Sequence, residues 1–194
     1  MSAMHGESGH ARIQHDAYHT LDADWIVPAL LDSIPITGPV LEPCAGRGHL
    51  VQALRAAGID TVGQELHTHP DHVVPDIETG RDVFDLQADD LAPFNWIVSN
   101  LPYDRQDAIV EHLLTISATH STNIALLVRA EWPIAQRRRG MVHEHSAFDA
   151  IVYLTRRPRW VSLEESNASP RHNFAWVTWR WERSNTPPSV FFCP

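Results

Sequence analysis

The chain predicts an α/β fold, a doubly wound and mostly parallel sheet with helices on both faces. Three observations carry this. Residues 39–41 are a short apolar run ending at Glu42. A glycine turn follows through Gly46 and Gly48, and Leu50, Val51, Leu54 and Ala57 then recur at helical spacing before Gly58. Strand-like and helix-like segments alternate from residue 38 to 129, the order that builds a parallel sheet. Asn123 to Arg129 contains a continuous apolar run, as expected of a strand buried on both faces.

Length and composition bound the rest. A chain of 194 residues is one domain's worth and can bury its own core. A flexible N-terminus is expected over 1–17, a single domain over 18–183 and an irregular, Pro-rich tail over 184–194. There is no apolar run long enough to cross a bilayer and no leader pattern. Cys44 and Cys193 are the only cysteines and make no disulfide framework. The expectation is a cytoplasmic protein, monomer or homodimer, with no membrane partner. The net charge of −9 argues against a protein that coats nucleic acid at large. Its distribution says more. Residues 1–128 hold 5 arginines against 18 carboxylates, a balance of −13, whereas residues 129–183 hold 10 against 6, a balance of +4. All 15 basic residues are arginines. A basic C-terminal portion on an acidic body suggests one face that meets phosphates; the plainer reading is a solvated arginine surface.

Along the chain, Tyr18 and Thr20 precede a helical pattern of Trp25, Ile26, Ala29, Leu30 and Leu31, with Thr20 or Asp22 as its cap. Thr61 to Leu66 reads as a strand ending in Glu65, nineteen residues beyond Gly46. In βαβ geometry that carboxylate lies beside the first strand, where it can accept both hydroxyls of a ribose. Asp82 follows Gly80 in a segment that reads as a turn, with Val83 and Phe84 behind it. Trp96 to Val98 is a buried strand that stops at the polar turn Asn100-Leu101-Pro102-Tyr103. Asp107 to Ile116 reads as an amphipathic helix. Beyond Glu131 the chain changes character: Arg137, Arg138 and Arg139 on a short helix, a strand over 150–154, an arginine–proline–aromatic segment over 156–160, and a polar loop over 166–173. An alternating last strand over 173–181 follows, in which Phe174 and Trp176 read as core.

Glu42-Pro43-x-Ala45-Gly46-x-Gly48 and Asn100-Leu101-Pro102-Tyr103 together resemble the S-adenosylmethionine-dependent methyltransferases of the Rossmann-like class. The form is that of phage-type DNA adenine-amine methyltransferases. The resemblance implies seven strands, the last antiparallel, and the cofactor S-adenosylmethionine. It assigns the cofactor to Tyr18, Thr20, Glu42, Ala45, Gly46, Gly48, Glu65, Asp82, Val83 and Asn100. It assigns the target amine to Asn100, the Leu101 carbonyl, Pro102 and Tyr103, whose ring would stack on a flat base. Residues 131–172 become a substrate-facing insert, with Arg137, Arg157, Arg171 and His172 against nucleic acid. DNA is the favoured acceptor. Leu101 stands where the first proline is usual, a form familiar from ribosomal-RNA adenine dimethyltransferases, so RNA adenine and protein glutamine stay open.

Two competing signals need weighing. His67-x-His69-x-Asp71-His72 matches the metal motif of metallo-β-lactamase-like hydrolases, which makes a zinc hydrolase the alternative of another class. But Val73-Val74-Pro75 follows where glycines are usual, so no metal is expected. Pro43-Cys44 matches the nucleophile pair of cytosine carbon methyltransferases, but it lies inside the glycine turn, on the wrong strand for that task. A cofactor-binding module without catalysis is the third possibility.

Overall fold

The structure, a computed structural model, describes residues 19–159, 172–182 and 186–193. Its strands are β1 (Val40–Glu42), β2 (Thr61–Glu65), β3 (Glu78–Thr79), β4 (Trp96–Ser99), β5 (Asn123–Arg129), β6 (Phe148–Leu154), β7 (Phe174–Trp179) and β8 (Ser189–Cys193). They form one sheet in the order β3-β2-β1-β4-β5-β7-β6-β8. β2, β1, β4 and β5 run parallel, and β7 is antiparallel to both β5 and β6. The chain moves outward from β1 to β3, then returns to start β4 on the other side of β1. That reversal opens a crevice at the carboxyl ends of β1 and β4, where open α/β sheets bind ligands.

Helices α1 (Ala23–Leu31) and α2 (His49–Ala56) cover one face, and α3 (Gln106–Ser117) covers the other. The alternation of β5 shows the consequence. Ile124, Leu126 and Val128 join the core beneath α3, while Ala125 and Leu127 join the core beneath α1 and α2. A strand with two buried faces has no polar phase. Where short 3₁₀ turns replace helices after β3, Val83, Leu86 and Leu91 still close the α3 side of the core.

α1 is tied to the sheet by a specific bond. Trp176 of β7 is fully buried, and its indole N–H donates to the Ile26 carbonyl at 3.1 Å. Asp22 occupies the N-cap position of α1 but does not cap it. Its buried carboxylate instead accepts from the backbone N–H and guanidinium of Arg159 at 2.7–3.0 Å. Replacing Trp176 with phenylalanine keeps most of the volume and loses the bond. We expect Trp176→Phe to cost roughly 1–3 kcal/mol, read as a fall in thermal midpoint of about 2–4 °C per kcal/mol. An unchanged midpoint would place α1 elsewhere.

The sheet has eight strands rather than seven. The expectation of an irregular tail fails at residues 189–193, where β8 pairs in parallel with β6, Ala150 facing Ser189 and Leu154 facing Cys193. Val190, Phe191 and Phe192 are strand formers. Phe192 stacks on Tyr153 at 5.5 Å, and the Cys193 thiol meets the Ala29 carbonyl at 3.1 Å. Pro187 and Pro188 punctuate the approach to this strand without breaking it. Among the described residues no helix is long and apolar enough to cross a membrane.

Candidate active site

The turn after β1 is shaped by what its glycines permit. Gly46 and Gly48 hold positive φ angles of 53° and 93°, backbone that side-chain-bearing residues rarely adopt. A Cβ on Gly48 would also lie 2.6 Å from Val74. α2 begins at the next residue, so the turn and the first helical turn face the sheet's carboxyl edge together. Glu65 reaches across from the end of β2. One of its oxygens accepts from the Gly46 N–H at 2.7 Å and the other from the His67 N–H at 2.9 Å. The carboxylate therefore clamps the turn against the neighbouring strand end.

These groups open onto a cavity of about 330 Å³. The turn forms one wall through Pro43, Cys44, Ala45 and Gly46, with Glu65 beside it. Asp82 and Val83 after β3 form a second, and Asn100, Leu101 and Pro102 after β4 a third. Two turns that lie 54 positions apart in sequence at Gly46 and Asn100 thus share one hollow. Leu101 is buried at 2% exposure, which anchors the turn, and the Asn100 side-chain NH₂ donates to Thr20 Oγ1 at 3.1 Å. Asp82 caps the following 3₁₀ turn through the Phe84 N–H at 3.1 Å and takes Arg105 at 3.3 Å. Arg105 in turn lies over the Phe84 ring.

The sheet order, the crevice at the β1–β4 reversal and the lining of this hollow together decide the fold. The fold is that of the Rossmann-like methyltransferases. The chain is similar to the type IIG restriction endonuclease BpuSI, with a TM-score of 0.58 at 14% identity over 96% of this chain. It spans only 27% of that protein's length. It is also similar to a SAM-dependent methyltransferase from Archaeoglobus fulgidus, with a TM-score of 0.50 at 12% identity, covering 81% of this chain and 94% of that one. The likeness in both cases is one of fold. No family model matches the chain, and no curated protein matches it.

Against the methyltransferase fold, the residues singled out from sequence fall into three groups. Thr20, Ala45, Gly46, Glu65, Asp82, Val83, Asn100, Leu101 and Pro102 line the cavity. Glu42, Gly48 and Tyr103 do not. Glu42 lies one layer below, fully buried, with one oxygen accepting from the Ser99 hydroxyl at 2.5 Å and from the Cys44 N–H at 3.0 Å. Its other oxygen is buried without a hydrogen-bond partner. Burial raises this carboxyl from 4.5 to about 8, so it is largely protonated at neutral pH. Glu42 thus supports the turn from beneath, one layer below the residues that line the cavity. The Tyr103 ring packs with Phe174 at a 6.4 Å centroid distance and carries the Arg129 guanidinium at 5.4 Å.

The third group is the set assigned to nucleic acid. Arg137 and Arg138 both pair with Asp107 of α3. Burial alone would raise that carboxyl, but the hydrogen bonds from Arg138, Trp132 and Arg137 bring it below the usual range. Arg157 donates to the Asn173 side chain at 2.9 Å. None of these lines the cavity, nor does His172; Tyr18 and Arg171 lie outside the described residues.

The zinc alternative finds no cluster: among the described residues no group of three or more His, Cys, Asp or Glu is set to hold a metal ion. Asp71 is bound by Arg47 at 2.7 Å, and the ring of His72 accepts from the His69 N–H. Instead His67 and His69 line the cavity with His19 and His49. His19 and His69 meet edge to face at 5.1 Å, and His19 faces His49 at 6.2 Å. Burial, with His69, Arg47 and His49 nearby, lowers His19 to about 4 against the opposing pull of Asp71. His19, His49 and Arg105 were not anticipated as site residues. Their signal was adjacency, since each lies within two residues of a motif position.

Cys44 lines the cavity, yet burial and the carboxylates of Glu42, Glu65 and Asp82 push its thiol well above the ordinary range. A thiol that does not ionise is no nucleophile. Cys44→Ala is expected to keep most of the wild-type turnover. Lost turnover with intact S-adenosylhomocysteine binding by calorimetry would point to a covalent route.

Proposed function

We propose that the chain is an S-adenosylmethionine-dependent methyltransferase acting on an exocyclic amine, with adenine in DNA as its acceptor. One observation carries the reading. The glycine turn of β1 and the Asn100-Leu101-Pro102 turn of β4 close on a single cavity from neighbouring strand ends.

The residues present fit the cofactor. Backbone at Ala45 and Gly46 would approach it closely, because a Cβ on Gly46 would fill that space and meet His19 at 3.0 Å. Each Glu65 oxygen already accepts one backbone N–H. The remaining lone pairs of the carboxylate can take a ribose diol. Asp82 and Val83 would flank an adenine ring, the carboxylate near its amine and the valine on its face. The bound cofactor supplies an electrophilic methyl group on a sulfonium.

On the acceptor side the chain needs no covalent intermediate, and the proton that the methylated nitrogen would shed can pass to solvent. Thr20 takes the Asn100 NH₂, which turns the amide so that its oxygen end meets an incoming amine. The Leu101 carbonyl supplies a second acceptor, and Pro102 fixes its direction. With both amine hydrogens held, the nitrogen lone pair is aimed along one line, and catalysis is positioning and electrostatics.

The test is transfer of tritiated methyl from S-adenosylmethionine to DNA, RNA and whole-cell protein in parallel. Label in the adenine of DNA is the expected result. Label only in RNA or in protein would move the acceptor, and no label despite cofactor binding would leave a binding module.

A further inference from the structure

Twelve arginines lie among the described residues, and nine of them pair with carboxylates. Arg157 bonds Asn173. Two remain, Arg129 and Arg156. Among the described residues neither has an ion pair or a side-chain hydrogen bond, and each lies over an aromatic ring. Arg129 sits 5.4 Å above Tyr103, and Arg156 sits 5.0 Å above Trp25.

Their positions are not scattered. Arg129 ends β5, and Arg156 follows β6 by two residues. β5 and β6 are both antiparallel to β7, so they point the same way. Both arginines therefore stand on the carboxyl edge of the sheet, the edge that carries Asn100. Arg129 touches Tyr103, three positions past Asn100. The Arg129 Nε–H is buried without an acceptor. A desolvated, charge-bearing donor left unpaired costs about 1–3 kcal/mol or more, a cost that an anionic ligand would remove. Arg156 is exposed and can reach solvent-borne groups.

We propose that Arg129 and Arg156 contact the phosphodiesters that flank the acceptor base. The arginine run at 137–139 is not the phosphate surface, because Asp107 and Glu144 already hold it. The inference rests on the nucleic-acid reading of the acceptor. Guanidinium groups held over aromatic rings lose little freedom when they engage a phosphate. Two such groups, both on the β5–β6 side of the Asn100 turn, would set the strand's path and so the register of the base.

The test is fluorescence anisotropy of fluorescein-labelled mixed-sequence oligonucleotides on the protein saturated with S-adenosylhomocysteine. Single-stranded DNA, duplex DNA and RNA are run as separate arms across a salt series. Each neutralised phosphate contributes about 0.9 to the slope of log affinity against log salt for duplex and about 0.7 for single strands. Arg129→Gln and Arg156→Gln are each expected to reduce the slope by about one contact, and Arg137→Gln to leave it unchanged. Arg129→Lys should restore the slope, since the charge and not the ring contact is what the slope reads. Calorimetry of S-adenosylhomocysteine on each variant checks that the fold and the cofactor cavity are intact. Wild-type slopes in both glutamine variants, with the oligonucleotide still bound, would overturn the phosphate assignment and leave the proposed function standing. A wild-type protein that binds no oligonucleotide in any arm and labels protein instead would overturn the nucleic-acid reading and this inference with it.

Discussion

Asn100→Ala is expected to lower the methyl-transfer rate by roughly 100- to 1,000-fold, with S-adenosylhomocysteine affinity close to wild type. Asn100 projects into the cavity from the end of β4 and is held there by two neighbours: Thr20 receives its NH₂ at 3.1 Å, and Leu101 is locked into the core at 2% exposure. The amide is therefore oriented before any acceptor arrives. Alanine leaves the turn in place and removes the oxygen that would take an amine hydrogen. The backbone acceptor at Leu101 then works alone, and the nitrogen lone pair loses its direction. Thr20→Val keeps the size of the threonine while deleting the acceptor that turns the amide. We expect roughly a tenfold loss there, since the amide stays but its orientation is free. Single-turnover rates and calorimetry on the two variants separate positioning from binding. A turnover near wild type in Asn100→Ala would put the acceptor somewhere else in the molecule.

How much of this was legible before the structure depends on the range of the interactions involved. The turn around Gly46 is set by neighbours in sequence, since Gly48 N–H returns to the Ala45 carbonyl at 2.8 Å. β5 runs from Asn123 to Arg129 as its apolar pattern predicts. Both are local statements and a linear reading reaches them. Tyr103 is different. Its partners Phe174 and Arg129 come from β7 and β5, 71 and 26 positions away, and nothing near Tyr103 names them. The same holds for Arg137, whose carboxylate lies thirty positions earlier in α3. An arginine run reads as free charge until the fold brings an acid to it. β8 was hidden by Pro187 and Pro188, which suggest irregular chain although the strand begins just beyond them. The motif residues were visible as a set because strand ends converge at a reversal of the sheet. The residues that tune them were not, because they arrive from other elements.

Glu42→Gln tests whether the turn is supported from beneath, and its expected effect is on stability as a function of pH. The buried carboxyl shifts from 4.5 to about 8 in the folded state. An acid with a raised value binds its proton more tightly folded than unfolded. Between those two pH values the folded state holds the extra proton, so stability is full below 4.5 and falls as pH rises to about 8. At about 1.4 kcal/mol per unit the loss across that window is on the order of 5 kcal/mol. Glutamine is neutral throughout and fills the same space. At pH 5 the two proteins should be close, because the protonated acid and the amide are both neutral where the second Glu42 oxygen is buried. By pH 9 the variant should be the more stable, and urea midpoints at pH 5, 7 and 9 read the divergence. Titrating groups that do not feel Glu42 are common to both proteins and cancel in the difference. Cofactor affinity supplies an independent arm. With Pro43 and Cys44 standing between Glu42 and the cavity, the amide should bind S-adenosylhomocysteine about as well as the acid does. A large loss of affinity would mean that Glu42 reaches the ligand directly. Parallel stability curves would mean that the carboxyl is not held in its neutral form.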